Sequence, residues 1–121
     1  MTDPPVSRPV GPYTPIVRAG DWLVCSGQLG LHDGRLVDGG VAEQVAQAVR
    51  NIAGLLASQG AGLADVVKTT VFLADIGDYP AMNDAYMTAF GDHRPARSAF
   101  AVAALPLGAA VEIEAWAHSG N

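Results

Sequence analysis

The chain has 121 residues and a mass of 12.5 kDa; half of it is apolar, 16% is charged, and seven Lys and Arg against twelve Asp and Glu leave a net charge of −5. That is enough chain for one small domain, too apolar for intrinsic disorder, and acidic enough to repel a phosphate backbone or an anionic lipid surface over most of its area. A single cysteine, Cys25, leaves no intrachain disulfide to form and suits a reducing compartment.

Residues 1–10 form a proline-rich lead-in, with three prolines and none of the apolar core of a signal peptide. Gly11-Pro12 is a turn signal. Ile16 to Arg18 and Trp22 to Ser26 are β-rich runs separated by Gly20-Asp21, which predicts a hairpin. Along the second run Trp22 and Val24 point one way, Leu23 and Cys25 the other. Asp33-Gly34 is a further turn, and Gly39-Gly40 breaks the chain again. From about Val41 to Gln59 the pattern is helical: Val45, Val49, Ile52 and Leu56 share one face, and Leu55 widens it. Gly60 is placed to stop that helix.

Val66 to Leu73 is dominated by β-branched residues and reads as a strand, with Val67, Val71 and Leu73 on one face and Val66 and Phe72 on the other. A second helix follows, with Asp78 as N-cap, Pro80 in its first turn, Gly91 at its end, and an apolar face of Tyr79, Met82, Tyr86 and Phe90. Two strands close the chain, about Ala96 to Ala103 and Ala110 to Ala117. The weakly polar stretch from Ala99 to Val111 is broken by Pro106 and Gly108 and is too short to span a bilayer. The whole reads as a single α+β domain over residues 1–121, cytoplasmic, with a mixed sheet and two helices packed on one face. Two helices cover only one face of a sheet. The other carries Trp22 and Trp116, and leaving it wet is costly, so a homo-oligomer is expected.

Most enzyme classes find no support. His32, His93 and His118 lie far apart and none stands at metal-ligand spacing, so no metal is expected. Gly27-Gln28-Leu29-Gly30 lacks the spacing of a nucleotide fingerprint, and no nucleophile elbow is present. Cys25 lies in an apolar strand and reads as a buried structural thiol. Arg97, in Arg94-Pro95-Ala96-Arg97-Ser98, opens a run with no other charge until Glu112. It needs an anionic partner or an outlet to water: a bridge to Glu112 or Glu114, a snorkelling side chain, or a bound anion. Glu112, Glu114 and Trp116 share a strand face, which is either solvated or holds a carboxylate beside apolar surface, able to orient water or move a proton. Asn83 and Tyr13, taken alone, read as surface or packing residues.

In combination, four segments carry a resemblance. They are Gly11-Pro12-Tyr13, Cys25-Ser26-Gly27-Gln28, Val66 through Phe72, and Pro95-Ala96-Arg97-Ser98 with Leu105-Pro106 and Val111-Glu112-Ile113-Glu114. In this order and at these intervals they resemble the Rid (YjgF, reactive-intermediate deaminase) family over about Gly11 to Ala117. The resemblance implies a chorismate-mutase-like fold, a homotrimer with clefts between subunits, and hydrolysis of 2-imino or enamine acids such as 2-aminoacrylate to 2-oxo acids and ammonia. It implies Arg97 as the residue binding the substrate carboxylate and Glu112 as the residue positioning water and moving a proton. Tyr13, Ser26, Gly27 and Asn83 would line the cleft. An imine is already electrophilic, so no cofactor is expected.

Two positions depart from the family pattern: Ala99 stands where many deaminating members have cysteine, and Gly30 where proline is frequent. The competing readings are a carboxylate-binding or sensing member without turnover, and a ribonuclease or translation inhibitor. The last is disfavoured by the acidic charge and the absence of a basic stripe.

Overall fold

The architecture was taken from a computed structural model, which describes residues 11–120. The proline-rich lead-in at 1–10 lies outside the described residues. Ile16–Ala19 (β1) and Trp22–Leu29 (β2) form the expected hairpin, with Ala19 opposite Trp22. A two-residue ribbon, Leu31–His32 (β3) with Arg35–Leu36 (β4), folds about the Asp33-Gly34 turn. Then come Gly40–Ala57 (α1), Val66–Leu73 (β5), Tyr79–Phe90 (α2), Ala96–Ala101 (β6) and Val111–His118 (β7).

The main sheet has the order β1-β2-β7-β5-β6. β5 and β6 are parallel, and α2 is the crossover that a parallel pair requires. The last strand, β7, inserts antiparallel between β2 and β5 and so occupies the centre of the sheet. Both helices pack on one face. From α1 come Val45, Val49, Ile52, Leu55 and Leu56, the stripe read from periodicity, and all are fully buried. Met82, Tyr86 and Phe90 join them from α2, against Leu23, Cys25, Val71, Leu73, Val111, Ile113, Ala115 and Ala117 of the sheet. Burying a side chain of this kind contributes about 1.5–3 kcal/mol, so this layer supplies most of the drive to fold. No helix among the described residues is long and apolar enough to cross a membrane.

The face assignment of β5 needs correction at its start. Val66, expected outside, is in the core, and Val67, expected with Val71 and Leu73, is exposed. The pairing with β7 slips between Val66 and Lys68, and the extra residue of this β-bulge reverses the alternation before Lys68. Smaller differences lie at element ends. β2 runs on to Leu29, α1 stops at Ala57, and β6 stops at Ala101. Asp78 holds the N-cap position of α2 without a capping bond; the Asp75 carboxylate accepts the Gly77 N–H instead. Tyr79 sits outside the core rather than on the apolar face of α2.

The second face of the sheet is uncovered in the single chain, as expected. Val17, Trp22, Trp116 and Phe100 on it are 48%, 39%, 45% and 47% exposed. Trp22 meets Trp116 edge-on at 6.2 Å between ring centroids, and Phe72 meets Phe100 at 5.4 Å. Two exposed aromatic pairs on one sheet face mark an interaction surface.

Candidate functional site

β6 is an edge strand, and the pairing of Thr69 with Arg97 turns Arg97 toward the helix-covered face. Thr69 is buried and its hydroxyl lies 2.6 Å from that of Tyr86, which fixes the ring of Tyr86 beneath the arginine. The guanidinium lies 4.9 Å from the Tyr86 ring centroid and 5.7 Å from that of Tyr79. Its Nη2 donates to Tyr79 Oη at 3.1 Å, and Nη1 is 3.8 Å from Met82 Sδ. Aromatic faces hold a guanidinium in place without neutralising it. Among the described residues no carboxylate pairs with Arg97. A bridge to Glu112 or Glu114 is ruled out by the fold, because both acids project from the opposite face of the sheet.

Asn83, Tyr86, Met87, Arg94, Pro95 and Arg97 line a cleft of about 560 Å³ between α2 and the start of β6. The Oδ1 of Asn83 is buried with no hydrogen-bond partner among the described residues. An acceptor left in that state costs about 1–3 kcal/mol.

Glu112 is built by a different part of the chain. The pairing of β2 with β7 slips between Cys25 and Gln28, leaving a bulge at Ser26-Gly27. The Glu112 carboxylate lies against that bulge on the open face. A Cβ placed on Gly27 would stand 2.8 Å from Glu112 Cδ, so glycine here is a matter of close approach rather than of backbone angle. Burial raises the pKa of Glu112 above the usual glutamate range, and the like charge of Glu114 raises it further. Ser26 ties the preceding segment to the bulge: its Oγ donates to the Thr14 carbonyl at 2.6 Å and its N–H to the Pro15 carbonyl at 2.8 Å. Tyr13, on that segment, is exposed.

The six residues singled out from sequence therefore fall into two sets. Arg97 and Asn83 share the cleft under α2. Glu112 and Gly27 meet on the open face, with Ser26 in the same bulge and Tyr13 on the segment that it anchors. Within one chain the sheet separates the two sets.

Of the two departures from the family pattern, Ala99 pairs with Val71 and packs against the core. Gly30 faces α1, where a Cβ would lie 2.6 Å from Gln44 Cα, so it sets the approach of helix to sheet. Sequence reasoning missed the aromatic cradle of Tyr79 and Tyr86, reading both as core. Their spacing of seven on a helix leading into the arginine strand was the available signal. It also passed over Arg94 as a second guanidinium in the cleft. Cys25 is buried and its thiol is pushed up to about 12, which suits a structural residue. No group of three or more His, Cys, Asp or Glu side chains that could hold a metal ion occurs among the described residues.

The sequence profile of the family described as Endoribonuclease L-PSP matches residues 5–119. The chain belongs to this family, the YjgF/Rid family. Among Rid-family relatives, a 2-iminobutanoate/2-iminopropanoate deaminase of Mus musculus is 46% identical over 113 residues, covering 92% of this chain and 84% of that one. RidA from an Antarctic Psychrobacter superposes with a TM-score of 0.89 at 36% identity, covering 93% of each chain. Escherichia coli TdcF, solved with bound serine, gives 0.87 at 30% identity over 93% of this chain and 92% of that one. Two helices on a mixed sheet is thus the Rid-family fold.

Proposed function

We propose that this Rid-family chain hydrolyses reactive 2-imino and enamine acids to 2-oxo acids and ammonia, in clefts shared between neighbouring copies of a homotrimer. The observation that carries this reading is the Arg97 guanidinium, held between two tyrosine rings in an open cleft with no carboxylate partner among the described residues. The deaminase names of the mammalian relatives support the substrate class, and the serine bound to the Escherichia coli relative supports a small carboxylate as ligand type.

A small substrate cannot reach Arg97 and Glu112 of the same chain, because the sheet stands between them. A second copy resolves this: the Glu112 face of one chain, apolar and uncovered, meets the Arg97 edge of the next. Such a contact joins two different surfaces, so it builds a ring when the rotation closes rather than a two-fold dimer, and the family resemblance implies closure at three copies.

In this arrangement Arg97 forks onto the substrate carboxylate and fixes the imine carbon. Glu112 holds the attacking water by one oxygen. As the water oxygen bonds to the imine carbon, Glu112 takes one of its protons and a solvent proton goes to the imine nitrogen, giving a carbinolamine. Collapse to the 2-oxo acid breaks the carbon–nitrogen bond; Glu112 returns its proton to the departing ammonia, and the carbinolamine hydroxyl releases its own proton to solvent. The raised pKa of Glu112 suits both transfers. Ser26 already donates to Thr14, so its hydroxyl serves as an acceptor.

A ribonuclease needs paired acid–base groups beside a phosphate. Here His93 Nε2 is engaged with the Val66 carbonyl at 2.7 Å and His118 packs against Trp22 at 5.0 Å, in a chain of net charge −5.

The deciding experiment generates the imine with a pyridoxal-phosphate dehydratase or an amino-acid oxidase and follows 2-oxo acid formation in chelator-containing buffer. Substoichiometric protein should accelerate it and leave single-stranded RNA intact. Pyruvate binding without acceleration would instead make the chain a carboxylate-binding member. RNA cleavage abolished by Arg97→Ala would restore the ribonuclease reading.

A further inference from the structure

We propose that Arg94 makes the cleft under α2 selective for substrates with a second carboxylate, that is, for 2-imino dicarboxylic acids. The inference rests on the reading of Arg97 as the residue that takes the first carboxylate. Arg94 and Arg97 line the same cleft. Burial raises the pKa of the Tyr86 hydroxyl, and the Thr69 hydrogen bond and the positive charges of Arg97 and Arg94 act against that rise, so both arginines reach the same hydroxyl.

Arg94 is held by the turn that ends α2. Its Nη1 donates to the carbonyls of Gly91 and His93, the latter at 3.0 Å. Both bonds use Nη1, so Nε and Nη2 remain as donors for an anion. Only Pro95 and Ala96 separate the two arginines, which puts their Cα atoms about 10 Å apart at most in extended backbone. Both side chains are long enough to close on a five-carbon dicarboxylate between them.

Charge decides the preference. Asp84, the only carboxylate on the cleft wall among the described residues, is exposed and paired with neither arginine. A monocarboxylate leaves one guanidinium uncompensated, whereas a dicarboxylate answers both. The competing account is that Arg94 only caps the carbonyl end of α2.

Calorimetric titration of the full chain with two unreactive probes, 2-oxoglutarate and 2-oxobutanoate, separates these accounts. Wild type should bind 2-oxoglutarate about ten-fold or more tightly, the effect of one added charge-assisted contact. Arg94→Gln should collapse that ratio toward one, Arg94→Lys should keep part of it, and added salt should shrink it. Equal affinities in wild type, or a ratio that survives Arg94→Gln, would overturn the proposal and leave Arg94 as a helix cap. If 2-oxobutanoate fails to bind, or binds equally well to Arg97→Ala, then the reading of Arg97 has failed, which is a distinguishable result.

Discussion

Gly27→Ala is the sharpest test of the carboxylate geometry, because it changes Glu112 without touching it. The added methyl would lie 2.8 Å from Glu112 Cδ, inside any real carbon–carbon contact. The backbone itself accepts alanine, since Gly27 is not among the positive-φ glycines. The atom in the way is the far end of a flexible side chain, so Glu112 turns aside while the sheet stays put. An off-rotamer displacement costs about 0.5–1.5 kcal/mol. Replacing glycine by alanine returns about 0.4–1 kcal/mol by restricting the unfolded chain.

These nearly cancel, so the melting temperature should stay within about 4 °C of wild type. Activity should not. A catalytic group misplaced by about an ångström costs on the order of a hundred-fold, and losing general acid–base catalysis entirely costs about 10²–10⁴. The coupled deaminase assay and a melting curve on the same preparation decide the matter. Full turnover at wild-type stability would show that the position of Glu112 against the bulge is irrelevant to catalysis. A large fall in melting temperature would show that Gly27 serves packing.

Glu112→Gln should still bind pyruvate and deaminate about a hundred-fold more slowly. Because burial raises the folded-state pKa of Glu112, its contribution to stability is full at pH below the unfolded value and is lost as pH rises through the folded one. Glu112→Gln should therefore melt higher than wild type at neutral pH, with the gap closing on acidification; a gap that widens toward low pH would contradict the burial argument. Arg97→Lys keeps the charge but loses the planar fork, so kcat/KM should fall about ten- to a hundred-fold, and Arg97→Ala should abolish pyruvate binding in calorimetry. Light scattering should give about three times the chain mass, with Trp116→Glu on the open face reducing it; a stable monomer at micromolar concentration would remove the shared cleft.

Periodicity carried most of the architecture. Val45, Val49, Ile52 and Leu56 declared the buried stripe of α1, and Glu112, Glu114 and Trp116 declared a shared face of β7, because a helix or strand repeats at a spacing the chain itself contains. The uncovered second face followed from the same count, two helices against a sheet apolar on both sides. Arg97 stood out in an uncharged run and Glu112 by strand alternation, whereas Tyr13, Ser26, Gly27 and Asn83 were tied to the site only by motif order.

Tertiary pairing decided the rest. Val66 and Val67 exchange faces because β5 slips one residue against β7, and nothing in the Val66-Val67-Lys68 run announces a slip that exists only between strands. Gly27 meets the Glu112 carboxylate across 85 positions of sequence through another such bulge. The opposed placement of Arg97 and Glu112 also depends on pairing: Arg97 takes its face from Thr69 in β5, and Glu112 from the central position of β7. A local pattern states which side chains share a face of their own strand. Only hydrogen bonding to distant strands determines which layer that face meets, and that is what separates the two halves of the site within one chain.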